Sequence, residues 1–333
     1  MRQRAIALCV RRLHEGEKEQ LLHASYFEQA GFRVRYIEDT ELLPVPGEVL
    51  WIQHNLAWFP HMQRRLLAAP RNERPFVVIW HTEPLPLPSR AGLPPQRLRL
   101  RELAKIILRD PRATDVYTNY RNLRRLNRAG VPDLLVVSTP SRAEFLSENG
   151  IAAEWVPLGY TEGFGRELGL ERDIGVLFLG ALDDPRHRWG IDRLRKSGVD
   201  VVAAGDWNDP AYWGENRSQL INRARVFLGI PRHPGKLAGY RMILGMANGA
   251  LVVSEPLYDS RPFVSGTHFV TASIEQMPQT IAHYLEHERD RRRIAQQGQD
   301  FVMKSLTMRS SIDRILTLID SHPARAGSAA ATA

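Results

Sequence analysis

Short β-rich runs separated by helix-length stretches recur from one end of the chain to the other, and this alternation constrains the fold more than any other feature of the sequence. In the first half, Ala5 to Val10, Phe32 to Ile37, Val49 to Gln53, Phe76 to Trp80, Asp115 to Asn119 and Leu134 to Ser138 read as strands. Glu17 to Ala30, with Leu21, Leu22, Tyr26 and Ala30 near helical spacing and Gly31 as a stop, reads as a helix between two of them. Strands that alternate with helices are satisfied by parallel strands joined through crossovers, which makes the fold class α/β.

The pattern restarts at Asp173 to Gly180, a second buried strand run that follows the Gly-containing segment Thr161 to Gly169. Val199 to Gly205, Val226 to Ile230, Ala250 to Ser254 and His268 to Thr271 continue it as strands. Helical segments Arg188 to Ser197, Tyr212 to Arg223 and Ala238 to Asn248 lie between them. A chain of 333 residues holds two domains of ordinary size. The expected division is residues 1–160, residues 161–308, a last helix at 309–320, and a disordered tail at 321–333. Ile312, Ile315, Leu316 and Ile319 give that last helix one apolar stripe. Two domains imply a cleft, and in open α/β sheets ligands sit beyond the carboxyl ends of the strands.

At 43% hydrophobic residues the chain is too apolar for disorder, yet no run approaches the roughly 18 apolar residues of a membrane span. The start Met1-Arg2-Gln3-Arg4 leads into a strand without a cleavage site, so a cytoplasmic location is expected. The one cysteine, Cys9, lies in the first apolar run and reads as a buried thiol. The net charge of +8 fits nucleic acid, a membrane surface or a phosphorylated small molecule. The basic residues are dispersed and no nucleic-acid motif accompanies them, so nucleic acid is not the expected partner. Arg121, Arg124, Arg125 and Arg128 share one face if Tyr120 to Ala129 is helical, and Arg97, Arg99 and Arg101 lie nearby in sequence. That face reads as solvated or, with a lipid-linked acceptor, as a peripheral contact for anionic membrane.

Residues just after the strands carry the candidate chemistry. Gly180 ends a strand, two acids follow, and Arg186 opens a basic helix start; glycine permits close backbone approach to a ligand and a helix start favours anions. Arg232, Lys236 and Arg241 gather around the next strand-to-helix connection, a set of cations suited to a diphosphate. Glu255 follows the strand Ala250 to Val253. In the first half, His81 and Glu83 stand two apart at the end of the strongest strand, where they can accept or orient a hydroxyl proton. His14-Glu15-Gly16-Glu17 reads as helix capping, and Asp206-Trp207-Asn208-Asp209 as a turn rather than a metal site. There is no Gly-x-Gly-x-x-Gly, Walker loop, Gly-x-Ser-x-Gly elbow or His-Glu-x-x-His helix.

As an ordered set, the exit at Gly180 with Arg186 after it, Tyr240 to Ser254, Phe263 to Val270, and Ile281 through Gly298 make the stretch Asp173 to Leu318 resemble the C-terminal domain of family 1 glycosyltransferases, of the CgeB-like, spore-maturation type. The resemblance implies the GT-B architecture, two Rossmann-like domains facing across a cleft, with the last helix at 309–320 packing back on the first domain. It also implies transfer of a sugar from a nucleotide-diphosphate donor to a hydroxyl acceptor (small molecule, glycan, lipid-linked or protein), with retention and without a metal or other cofactor. Gly180, Arg186, Arg232, Lys236, Arg241 and Glu255 would then serve the donor, and His81 and Glu83 the chemistry. Related enzymes usually carry glutamates at the places of Lys236 and Leu244. Leucine accepts no hydrogen bond, so ribose recognition is rebuilt elsewhere or lost. A sugar-nucleotide epimerase and a non-catalytic carbohydrate-binding or scaffold protein are the competing expectations.

Overall fold

The computed structural model describes residues 4–10, 23–93, 100–108, 115–206 and 209–323. The chain divides into two compact units, Met1–Val156 with Ser311–Ala333, and Pro157–Ser310. Among the described residues no helix is long and apolar enough to cross a membrane.

Unit 1 is built on strands β1 (Ala5–Cys9), β2 (Arg33–Ile37), β3 (Val49–Gln53), β4 (Phe76–His81), β5 (Leu134–Val137) and β6 (Glu154–Trp155), all parallel, in the order β2-β1-β3-β4-β5-β6. Every residue of β3, β4 and β5 is buried, as a parallel sheet covered on both faces requires. Its helices are α1 (Ala24–Gln29), α2 (Pro60–Ala68), α3 (Leu100–Ile107), α4 (Val116–Arg128) and α5 (Pro140–Glu148). Cys9 is 2% exposed, and burial pushes its thiol far above the ordinary range.

One expected strand is a helix. Asp115 to Asn119 opens α4, because the Asp115 carboxylate accepts from the backbone N–H groups of Tyr117 (2.8 Å) and Thr118 (3.3 Å). Val116, Asn119, Leu123 and Leu126 then fall on one buried face at helical spacing, and Arg121, Arg124, Arg125 and Arg128 are exposed. The expected helix Glu17 to Ala30 is seen as α1, its first part lying outside the described residues. His14 to Glu17, Arg97, Arg99, Trp207, Asn208 and the tail beyond residue 323 also lie outside them.

Unit 2 carries a second all-parallel sheet of β7 (Ile174–Leu179), β8 (Val201–Ala204), β9 (Ala224–Gly229), β10 (Leu251–Ser254) and β11 (Val270–Thr271), in the order β11-β10-β9-β7-β8. Its helices are α6 (Pro185–Lys196), α7 (Gly214–Asn222), α8 (Gly239–Ala247), α9 (Met277–Glu286) and α10 (Glu288–Asp300); α11 (Met308–Asp320) begins here and from Ser311 belongs to unit 1. Within unit 1 it is held by an Arg4–Asp320 ion pair and by Arg314 over the Trp155 ring, 5.5 Å from its centroid. Alternation along β7 feeds two cores, Leu177 and Leu179 into one and Val176 and Phe178 into the other. Helix α8 lies close on the sheet because Gly245 has no side chain: a Cβ there would sit 2.6 Å from Val252 and 2.7 Å from Phe227.

Each sheet has one place where successive connections leave in opposite directions. In unit 1 it lies between β1 and β3, in unit 2 between β7 and β9. Such a switch point opens a crevice at the carboxyl ends of its strands.

Candidate functional site

In unit 2 the switch point is lined by Gly180 after β7 and by the loop after β9. Gly180 donates its N–H to the Ala204 carbonyl at 2.9 Å and leaves room for Arg241: a Cβ at Gly180 would lie 2.6 Å from the Arg241 guanidinium. Arg241, in the first turn of α8, donates to the Ile230 carbonyl and lies over the Phe178 ring, 5.0 Å from its centroid. Burial, then repulsion from Arg232, lower its pKa to about 10 against the opposing pull of Asp184, so it remains a cation at neutral pH. Among the described residues no carboxylate stands within 4 Å of its nitrogens.

Around this cation the other donor-side candidates take distinct places. The Asp184 carboxylate caps α6, accepting from the backbone N–H groups of Arg186 (3.0 Å) and His187 (3.4 Å), and its second oxygen is 3.8 Å from Arg232 Nε. Arg186 donates from one nitrogen to both oxygens of Glu255, at 2.6 and 2.7 Å. Burial pushes the Glu255 carboxyl above its ordinary range while Arg186 pulls it back. Lys236 sits half-buried on the loop before α8, and the neighbouring Gly235 carbonyl accepts from Tyr258 N–H at 2.8 Å, which ties this loop to the segment after β10. The structure therefore brings Gly180 against Arg241, Arg232 beside Asp184, and Arg186 onto Glu255. Leu244 is 5% exposed and part of the core.

His187 was not singled out by its sequence context. It is fully buried against Phe178, donates Nδ1–H to the Ala181 carbonyl at 2.8 Å, and so pins the turn between Gly180 and Asp184. Burial first, then Arg241, hold its pKa down to about 4, leaving it neutral.

In unit 1, His81 is the last residue of β4 and is wholly buried. Its ring nitrogens make no hydrogen bond of normal geometry, and burial followed by repulsion from Arg142 lowers its pKa to about 3, an effect the nearby His54 backbone does not offset. Glu83 lies two residues on, with its carboxylate 3.7 Å from His54 Nδ1. His54, at the exit of β3, shares a hydrogen bond with Thr82 Oγ1, and Arg142, from α5, donates to Ser138 Oγ. Burial lowers the Arg142 pKa to about 10, opposed by Glu83. The sequence signal for His54 and Arg142 was only their place after a strand end and on the following helix.

Residues 186–317 match a family model described as glycosyl transferase-like. No curated protein matches the chain. Anabaena HepE, solved with UDP and glucose, is 12% identical with a TM-score of 0.63, over 96% of this chain and 100% of that one. An alpha-glucosyltransferase solved with UDP and a mismatched 13-mer DNA is 11% identical with a TM-score of 0.57, over 96% and 100%. The pneumococcal O-GlcNAc transferase GtfA, solved with UDP and GlcNAc, is 9% identical with a TM-score of 0.53, over 91% of this chain and 60% of that one. At these identities the likeness is one of fold, the two parallel sheets of GT-B glycosyltransferases.

Proposed function

We propose that the chain transfers a sugar from a nucleotide-diphosphate donor, with a UDP-sugar as the first candidate, to a hydroxyl acceptor, with retention and without a divalent metal, as a CgeB-like member of the glycosyltransferases. One observation carries this reading: Arg241, a partly buried cation with no carboxylate within 4 Å among the described residues, lies against Gly180 at the switch point of unit 2. A diphosphate supplies an anion in direct contact, and its charge grows as the sugar leaves, so a fixed guanidinium favours the transition state over the bound donor. Arg232 and Lys236 add positive potential, and Arg186 is released to the phosphates when Glu255 turns to another hydrogen bond, for which the ribose hydroxyls are the candidate. Glu83 and the buried His81 serve the acceptor. The structures solved with UDP support uracil as the base to try first.

UDP is therefore expected to raise the melting temperature more than UMP, and equally with and without chelator. A ligand at a hundredfold excess over Kd adds about 2.7 kcal/mol to the folded state. Buried Leu244 favours a second reading, a non-catalytic protein with a lapsed donor site. Absence of any shift with UDP, GDP, ADP or TDP at millimolar concentration decides for that second reading.

A further inference from the structure

Among the described residues His54 is the one non-glycine residue with a left-handed backbone, φ 75°. Such strain persists only where its surroundings impose it, and it collects at functional places. Here the His54 N–H donates to the Trp80 carbonyl at 2.9 Å, and the imidazole is held between Thr82, Glu83 and Trp58. The His54 and Trp58 rings are 5.5 Å apart with planes 31° from parallel. The side chains of His54 and Glu83 keep 24% and 16% exposure, so both still face solvent.

Beneath them runs a network of carboxamides in which Asn55 and Asn119 are fully buried. Asn55 caps the turn Leu56–Trp58 through Ala57 N–H (3.0 Å) and donates to Asn119 Oδ1 (2.9 Å), while Asn119 donates to the Pro84 carbonyl (2.9 Å). Asn122 donates back to Asn55 Oδ1 at 3.2 Å and receives from Gln63 at 2.7 Å. The segment carrying His54 and Trp58 is thereby locked to the one carrying Thr82 and Glu83 before any ligand arrives. This is preorganisation of the kind a binding site needs.

We propose that His54, Glu83 and Trp58 form the acceptor subsite of unit 1 and that its ligand is a neutral carbohydrate. A sugar hydroxyl donates and accepts at once, so a carboxylate beside an imidazole fits a pair of them, and the Trp58 indole, packed on the core of unit 1, backs the imidazole and fixes its place. Charge selects against other acceptors. Arg142 interacts favourably with Glu83 and so balances its charge, and His81 is neutral at physiological pH, so the group offers an anionic phosphate or carboxylate no net positive charge. The word acceptor rests on the transferase reading; sugar binding does not.

Saturation-transfer NMR on the full chain tests this with methyl glucoside, N-acetylglucosamine and maltose, glycerol phosphate serving as the charged control. At least one neutral sugar is expected to receive saturation, with affinity falling tenfold or more in Glu83→Gln and in His54→Gly. The melting temperature of His54→Gly is expected to hold or rise, because glycine relaxes the left-handed backbone; a purely structural histidine would instead lower it. His54→Asn, which tolerates the same backbone, keeps the fold and loses the imidazole. Sugar binding unchanged in these variants overturns the subsite, as does saturation of glycerol phosphate alone or of no probe at tens of millimolar. UDP binding without sugar binding removes the subsite and leaves the transferase reading intact; sugar binding without UDP binding does the reverse.

Discussion

A partly buried guanidinium with no carboxylate in contact destabilises a fold unless other groups compensate, and Arg241 has the Ile230 carbonyl, the Phe178 ring and the more distant pull of Asp184 for this. The proposed donor would complete its coordination. Arg241→Ala is therefore expected to weaken UDP by about 1.5–3 kcal/mol, roughly ten- to a hundredfold, and to leave uridine binding unchanged. Calorimetry with both ligands checks this, and equal UDP affinity in a folded variant takes Arg241 out of the site. Gly180→Ala reaches the same cation from the other side. Its Cβ would lie 2.6 Å from the guanidinium, so UDP affinity is expected to fall although no charge is removed. Arg186→Ala is expected to cost less than Arg241→Ala, because Arg186 must first give up two short hydrogen bonds to Glu255.

Elements repeat the lesson at larger size. The strands were legible because parallel strands covered on both faces must be continuous apolar runs, and β3, β4 and β5 are buried at every position. The sequence Asp115 to Asn119 deceived for a local reason: Val116, Tyr117 and Thr118 favour strands, but a capping carboxylate outweighs that preference. Asp115→Ala is accordingly expected to lower stability by about 1 kcal/mol, measured by denaturant unfolding, while Asp115→Asn retains most of it. The candidate site was legible in part. Gly180, Arg232, Glu255 and Glu83 follow strands and His81 ends one, places that any α/β reading ranks first. The pairing of Arg186 with Glu255, 69 residues apart, depends on β10 and β7 flanking β9, an order that hydrophobic runs do not encode. The backbone of His54 was illegible, since a positive φ at a histidine is imposed by contacts rather than by the residue itself. On α4 the exposed arginines Arg121, Arg124, Arg125 and Arg128 carry the proposal of peripheral contact with anionic membrane. Replacing them by glutamine is expected to abolish co-sedimentation with anionic vesicles at low salt; vesicle binding absent from the wild type removes the proposal.

At the scale of the molecule, three buried histidines held neutral make stability depend on acid in a predictable sense. His23 and His187 have pKa values lowered to about 4 and His81 to about 3, burial being the first cause in each. Each has a folded pKa below the unfolded value of about 6.5, so the unfolded chain binds more protons in between. Their contribution to stability is whole above pH 6.5 and is lost as the pH falls through that window towards 4 and 3. In mid-window each costs about 1.4 kcal/mol per pH unit, so the three together give a slope of about 4 kcal/mol per unit. Glu255 acts in the opposite sense because its folded pKa is raised, but it is one group against three. The lowered carboxylates Asp173, Asp259 and Asp300 add their loss only at still lower pH. Unfolding free energy is therefore expected to drop steeply between pH 6 and 5, before carboxylates titrate in quantity. His187→Gln and His81→Gln should each flatten that slope by about a third, even where they lower stability at pH 7. A wild-type stability that stays level from pH 6.5 to 5 would mean that these rings gain protons in the folded chain, which requires water or a carboxylate to reach them.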